Sequence, residues 1–320
     1  MPASLRPRRS ALYVPGSNQR AMEKARTLPA DVVIFDLEDA VALEHKDRAR
    51  NAVAAAVETL ANGRREIVVR INDLDSPWVA RDIAAMVFAK PDAILIPKVA
   101  RPDDIRRARA ALAAAQAPKT TRLWLMLETP GAILNAAAIA AVSAIPEPSV
   151  TCFVIGTNDL LTGLGAPAKP GRPALMPHLA HALLAARTHG LSILDGTFND
   201  LDDRKGLKAE CIQGRDLGFD GKTLVHPGQI ATANETFAPD KEEIDWARKI
   251  VAAFSSTDNA GLEVMRLSGR MVERLHERQA RRTLEFAEAI AALEADAGKM
   301  ATPAKAPRPA PLRPRASSSA

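Results

Sequence analysis

The chain has 320 residues, room for one large domain or two ordinary ones, and at 47% apolar it can bury a sizeable core. The net charge of +5 points first to nucleic acid, but the positive charge is terminal. Arg6, Arg8 and Arg9 stand without an acid in residues 1–9, and Lys299, Lys305, Arg308, Arg313 and Arg315 without one in 299–320, which leaves 10–298 mildly acidic. Aromatic residues make up only 4%, too few for base-stacking platforms, so nucleic acid is not the expected partner.

In chain order, the N-terminus "MPASLRPRRS" lacks the apolar segment of a secretory signal. Eight apolar, β-rich runs follow: "ALYVPG" (11–16), "VVIFDLE" (32–38), "EIVVRIN" (66–72), "AILIPKV" (93–99), "LWLMLET" (123–129), "CFVIGT" (152–157), "LSILDGT" (191–197) and "KTLVHP" (222–227). Most are continuous rather than alternating, as strands buried on both faces should be. Helical stretches lie between them, among them "SNQRAMEKARTL", read with a Ser cap, and "ALMPHLAHALLAARTHG", which ends in Gly. Eight β-then-α units predict a (β/α)8 TIM barrel over residues 10–236. The competing doubly wound sheet would carry a G-x-G-x-x-G turn after its first strand, and "VPGSNQR" is not one.

Beyond residue 237 no strand pattern is read. "DKEEIDWARKIVAAF" and "MVERLHERQARRTLEFAEAIAALEA" predict two helices, a small C-terminal helical appendage over 237–298. The rest, 299–320, is rich in Pro, Ala, Arg and Ser and reads as a disordered basic tail. No run approaches the roughly 20 apolar residues that span a bilayer. Cys152 and Cys211 have no metal or redox spacing and read as reduced core residues, so the expected location is cytoplasmic.

Barrel chemistry sits at the C-terminal ends of the strands. Those ends carry Asp36, Glu38 and Asp39, then Arg70 and Asn72, then Lys98, Glu128, Asn158 and Asp159, Asp195 and His226. Several acids and two bases at one mouth form a divalent-cation arrangement, and hard oxygen ligands suit Mg2+. Each residue also has a plainer reading. Glu128 would cap the helix that starts near Gly131, Asp159 would be an N-cap, and Arg70 would pair with Asp36 or Glu38. Lys98 and His226 divide evenly between site and structure. Asp36, Glu38 and Asp39 read as groups that orient others rather than as direct ligands.

The stretches "RSALYVPGSNQRAMEKA", "DVVIFDLEDAV", "VVRIN", "AILIPKV", "LMLETPGAILN", "VIGTNDL", "DGKTLVHPGQI" and "GRMVE" occur in order over residues 9–273. As a set they resemble the citrate lyase β-subunit-like CoA-thioester lyases, which include malyl-CoA and citramalyl-CoA lyases, within the HpcH/HpaI aldolase superfamily. The resemblance implies a Mg2+-dependent carbon–carbon lyase. Its substrate would be a 3-hydroxyacyl-CoA of malyl, citramalyl or citryl type, cleaved to acetyl-CoA or a related acyl-CoA and a 2-oxo acid. Carried over by position, it makes Glu128 and Asp159 the Mg2+ ligands, Arg70 the clamp for the substrate carboxylate, and Arg20 and Lys24 contacts for the CoA phosphates. It also implies a homo-oligomer, a trimer or hexamer, whose lid closes over a neighbouring subunit's site and brings an acid/base carboxylate. The lid motif usually ends in Asp, and here Glu273 stands at that position. Thr197 in "DGTF" replaces a frequent Pro, which leaves Asp195 a weaker candidate for orienting the site. The competing readings are a Mg2+ aldolase of free 2-oxo acids, which would not need Arg20 and Lys24, and the β subunit of a citrate lyase complex. The non-enzymatic reading is a barrel that binds an acidic partner through its basic ends.

Overall fold

Short runs that are apolar on both faces form strands where both faces are covered. In the computed structural model β1 (Ser10–Pro15), β2 (Val32–Asp36), β3 (Glu66–Arg70), β4 (Ala93–Ile96), β5 (Arg122–Leu127), β6 (Val150–Ile155), β7 (Ser192–Asp195) and β8 (Gly221–Leu224) pair in order as parallel neighbours. β8 returns to β1, and the barrel is closed. The structure describes residues 6–60, 63–142, 148–256, 259 and 261–301. The helices that cover the barrel are α1 (Gln19–Ala25), α2 (Lys46–Leu60), α3 (Val79–Ala89), α4 (Pro102–Ala114), α5 (Pro130–Leu134), α6 (Ala136–Val142), α7 (Thr157–Leu164), α8 (Met176–Thr188), α9 (Arg204–Leu217) and α10 (Ile230–Phe237). The N-cap of α1 is Asn18, whose side chain accepts from the Ala21 N–H, rather than the neighbouring Ser17.

The two-residue period of a strand sorts the side chains. Ala11, Val32, Ile34, Val68, Leu95, Trp124, Val154 and Leu194 fill the barrel interior. The residues between them, such as Val33, Phe35, Ile67, Val69 and Phe153, pack outward with the helices. Continuing the inward row one step past Ala11, Ile34, Val68 and Trp124 reaches Tyr13, Asp36, Arg70 and Met126. The same alternation therefore builds the greasy barrel and delivers polar groups to its mouth.

The opposite end is closed by ion pairs. Arg8 forks onto Glu66 at 2.7 and 2.8 Å, Arg9 onto Asp31 at 2.9 Å, and Arg6 meets Asp92 at 2.8 Å. Arg8 and Arg9 are buried. This corrects the view of the N-terminal arginines as a free basic end, because each is paired with a carboxylate of the fold, Arg8 and Arg9 in its interior and Arg6 at its half-buried rim.

The C-terminal unit also departs from expectation. Between α11 (Lys241–Ser255) and α12 (Arg274–Ala301) lies an antiparallel hairpin, β9 (Val264–Leu267) and β10 (Arg270–Glu273). Ser268 and Gly269 join the strands with φ of 49° and 83°, the left-handed pair that a two-residue hairpin turn requires. The expectation of no strand beyond 237 missed this hairpin, and the helix read from Met271 starts instead at Arg274, with Glu273 the last strand residue. Val272 joins Ala247, Ile250, Phe254 and Ala280 in a separate small core, with Met265 and Leu267 against it. α12 continues past 298 to Ala301, and the remainder of the proposed tail, from 302, lies outside the described residues. No helix among the described residues is long and apolar enough to cross a membrane.

Candidate active site

At the C-terminal end of the barrel Tyr13, Asp36, Asp39, Arg70, Met126, Glu128, Gly156, Asp159, Thr197 and Thr223 line a cavity of about 400 Å3. Glu128 follows β5 and is 1% exposed. Its Oε1 accepts the Lys98 N–H at 2.7 Å, and among the described residues Oε2 has no donor. Lys98 itself is in the left-handed region, with φ of 54°. Burial first, then the nearby Glu38 carboxylate, with Asp159 adding to it, push the Glu128 carboxyl up to about 8.

Arg70 is enclosed by acids. Nε and Nη2 fork onto Asp36 at 2.8 and 2.6 Å, and Nη1 meets Glu38 at 2.9 Å and Asp39 at 3.2 Å. Asp36 in turn accepts the Glu38 and Ala40 N–H groups at 2.9 and 3.1 Å and so shapes the turn after β2. Behind that turn Lys46, the first residue of α2, donates to the Leu37 and Glu38 carbonyls at 2.8 and 2.7 Å. Lys98 Nζ reaches Glu38 at 2.8 Å. Burial raises the Glu38 carboxyl above its ordinary range despite Arg70.

Asp159 stands in the first turn of α7, exposed at the mouth; the N-cap there is Gly156, so the capping reading does not hold. Gly156 is backbone packed against Glu128, and a Cβ on it would come within 2.6 Å of Oε2.

These residues fit a hard divalent cation. Among the described residues five carboxylates, Asp36, Glu38, Asp39, Glu128 and Asp159, outnumber the cations near them, Arg70 and Lys98 at the mouth and Lys46 behind the β2 turn. Among the described residues no three His, Cys, Asp or Glu side chains are grouped to hold an ion alone. Mg2+ commonly takes one or two carboxylates and completes its shell with water and substrate oxygens.

Other candidates sit elsewhere. Asp195 is turned away from the mouth toward α9, fully buried, taking Arg172 at 2.6 Å and Lys222 at 2.9 Å. Burial opposes its charge, but Lys222 and Arg172 outweigh it and hold the carboxyl low. The reason is strand parity: Leu194 points inward, so Asp195 points out. Asn72 bonds Asp82 at 2.6 Å, and His226 Nδ1 accepts the Gly228 N–H at 3.1 Å, so both serve local structure. Asn158 accepts from Asn199 at 2.8 Å and, with Thr157 and Thr197, forms the sill of an adjoining cavity of about 590 Å3. Arg20 and Lys24 lie exposed on α1, one turn apart, with no ion pair among the described residues. Glu273 is on β10, outside the lining of either cavity. Residues that strand-end reading passed over are Tyr13 and Met126, whose place on the inward row was legible from period two, and Gly156, whose contact with Glu128 was not.

Fold and site together define a parallel (β/α)8 barrel with a carboxylate-rich, cation-type centre at its C-terminal mouth. The model of the HpcH/HpaI aldolase/citrate lyase family matches residues 9–227, and the chain belongs to that family. A (3S)-malyl-CoA thioesterase of Cereibacter sphaeroides is 48% identical over 289 residues, 90% of this chain and 98% of the relative. The citrate lyase subunit beta of Escherichia coli is 34% identical over 273 residues, 84% of this chain and 89% of the relative. Among solved structures, the Mycobacterium tuberculosis protein CitE in complex with magnesium, acetoacetate and coenzyme A superposes with a TM-score of 0.67 at 28% identity, covering 87% of this chain and 97% of that one.

Proposed function

We propose that this chain is a Mg2+-dependent enzyme of 3-hydroxyacyl-CoA thioesters of the malyl-CoA type. The observation that carries the reading is Glu128, a buried carboxylate with one oxygen free, beside Asp159 and among more acids than bases. Glu128 and Asp159 would hold Mg2+, which when bound supplies Lewis acidity to a substrate's carboxylate and hydroxyl oxygens. Arg70, stiffened by Asp36, lies on the cavity wall where a substrate carboxylate would be oriented. Arg20 and Lys24 are free to meet the nucleotide phosphates, which argues against a substrate without CoA. The adjoining cavity offers room for the rest of the acyl arm.

Two bonds can break in such a substrate. Hydrolysis adds water across the thioester and yields malate and free CoA. Carbon–carbon cleavage yields glyoxylate and acetyl-CoA. Hydrolysis is favoured by the 48% relative, a thioesterase by name and matched over 98% of its length. Carbon–carbon cleavage is favoured by the 34% relative, a citrate lyase subunit, and by a site suited to a 2-oxo acid. In either reaction Glu273 from a neighbouring subunit of a homo-oligomer would move the proton. Its own cavity is completed without it, and α12 is tied at Glu294 to Arg9 at the far end of the barrel, roughly 30 Å along the helix.

One experiment decides. Purified protein is incubated with Mg2+ and malyl-, citramalyl- or citryl-CoA, and free thiol and 2-oxo acid are measured in parallel. Thiol release without oxo acid supports hydrolysis, and oxo acid without thiol supports the lyase. Neither product from any of the three ends the proposal. Turnover by the chain alone also argues against an obligate complex subunit.

A further inference from the structure

We propose that the Tyr13 hydroxyl binds a carboxylate oxygen of the substrate as a neutral donor on the cavity floor; this rests on the reading of the site as one for a carboxylate-bearing acyl group. Tyr13 is carried by β1 and Met126 by β5, which stand opposite one another in the eight-strand ring. The Tyr13 hydroxyl lies 3.8 Å from Met126 Sδ, so the phenol spans the barrel axis directly beneath the cavity that both residues line. Glu128 is the next inward position above Met126, and the Arg70 guanidinium sits 5.0 Å from the phenol ring centroid. An acyl group resting between Glu128 and Arg70 therefore has Tyr13 as its floor.

The donors around this cavity are not equally free. Arg70 gives both arms of its fork to Asp36 and its remaining nitrogen to Glu38 and Asp39. Lys98 is paired with Glu38. A substrate carboxylate must compete with three protein carboxylates for Arg70. For the Tyr13 proton it competes only with a thioether sulfur, a weak acceptor, and no other acceptor is in place among the described residues. Burial raises the phenol well above its ordinary range, with Arg70 acting against it, so the hydroxyl keeps its proton at neutral pH and donates it as a hydrogen bond.

Tyr13 is the only tyrosine in the chain, which makes the test residue-specific. Protein labelled with 3-fluorotyrosine gives one 19F resonance. Pyruvate, a 2-oxo acid, added to the Mg2+-saturated protein should move that resonance. Tyr13→Phe should weaken pyruvate binding, measured by calorimetry at saturating Mg2+, by about 10–100-fold, the range for a hydrogen bond to a charged group. KM for the thioester should rise similarly, with the melting temperature and Mg2+ affinity close to wild type. An unmoved resonance while calorimetry records pyruvate binding, or equal affinity in Tyr13→Phe, overturns the role of Tyr13. Failure of the wild-type protein to bind pyruvate with Mg2+ overturns the reading of the site and this inference with it.

Discussion

Gly156 lies so close to Glu128 that a single methyl at 156 would stand 2.4 Å from the Glu128 Cβ and 2.6 Å from its Oε2. The end of β6 and the end of β5 thus share one space, and the backbone of 156 has been kept bare so that a carboxylate can occupy it. The φ of Gly156 is −93°, which any residue adopts, so the requirement is steric and not conformational.

Gly156→Ala should therefore displace Glu128 rather than strain the backbone. The expected destabilisation is about 1–3 kcal/mol, the usual result of overpacking. Mg2+ affinity should fall at least tenfold in calorimetry. A variant with unchanged metal affinity would separate Glu128 from the metal site.

The pH dependence follows from Glu128. Its folded-state pKa of about 8 lies above the ordinary 4.5, so the fold disfavours its ionised form. In metal-free protein this group costs stability progressively as pH rises from about 4.5 to about 8. Glu128→Gln should remove that cost and, without metal, melt higher than wild type at pH 8, while losing Mg2+-dependent turnover. Mg2+ must displace the proton below pH 8, so its affinity should climb by up to about tenfold per pH unit toward that value and then level. Calorimetry in buffers of different ionisation enthalpy would report the proton released. A flat affinity from pH 6 to 8 would contradict the assignment.

Glu273 can be tested by mixing. If it acts in a neighbour's site, Glu273→Gln should lower kcat by roughly 10²–10⁴-fold with Mg2+ binding intact. Subunits carrying Glu273→Gln, refolded together with inactive Glu128→Gln subunits, should regain activity, because some mixed sites hold both carboxylates. Wild-type turnover by Glu273→Gln would place proton transfer elsewhere.

Lys222 makes a stability prediction away from the site. Its ammonium, 0% exposed, bonds Asp195 at 2.9 Å, Glu210 at 2.6 Å and the Gly196 carbonyl at 2.5 Å. Lys222→Met would leave Asp195 and Glu210 sharing Arg172 alone. Removing one member of a buried ion pair costs about 3–5 kcal/mol. Asp195 is held low in the fold, so its contribution is present at neutral pH and fades in acid. Urea unfolding at pH 7 should show the loss, and a smaller one only well below pH 3.8, the ordinary value from which the fold lowers Asp195.

The barrel itself was determined by the sequence. Eight apolar, β-rich runs, most of them continuous and each followed by a helical segment, admit few other arrangements, because a strand apolar on both faces needs cover on both. Glu128 was legible for the same reason: a carboxylate after five apolar residues sits where a buried strand ends. The tertiary structure decided which groups face one another. Parity could have turned Asp195 outward on paper, but its burial between Lys222 and Arg172 depends on β8 and the loop before α8 arriving at the same place. The ion pairs of Arg8 and Arg9 join positions up to 285 residues apart, a distance over which composition shows only unmatched charge. The hairpin at 264–273 was passed over, its last three residues read as helix, because its turn is decided by two left-handed residues and its face by a core assembled from α11 and α12. Local pattern specifies what a segment can be. Which charges find partners, and which carboxylate is left one oxygen free, is settled only when distant segments exclude water from the same space.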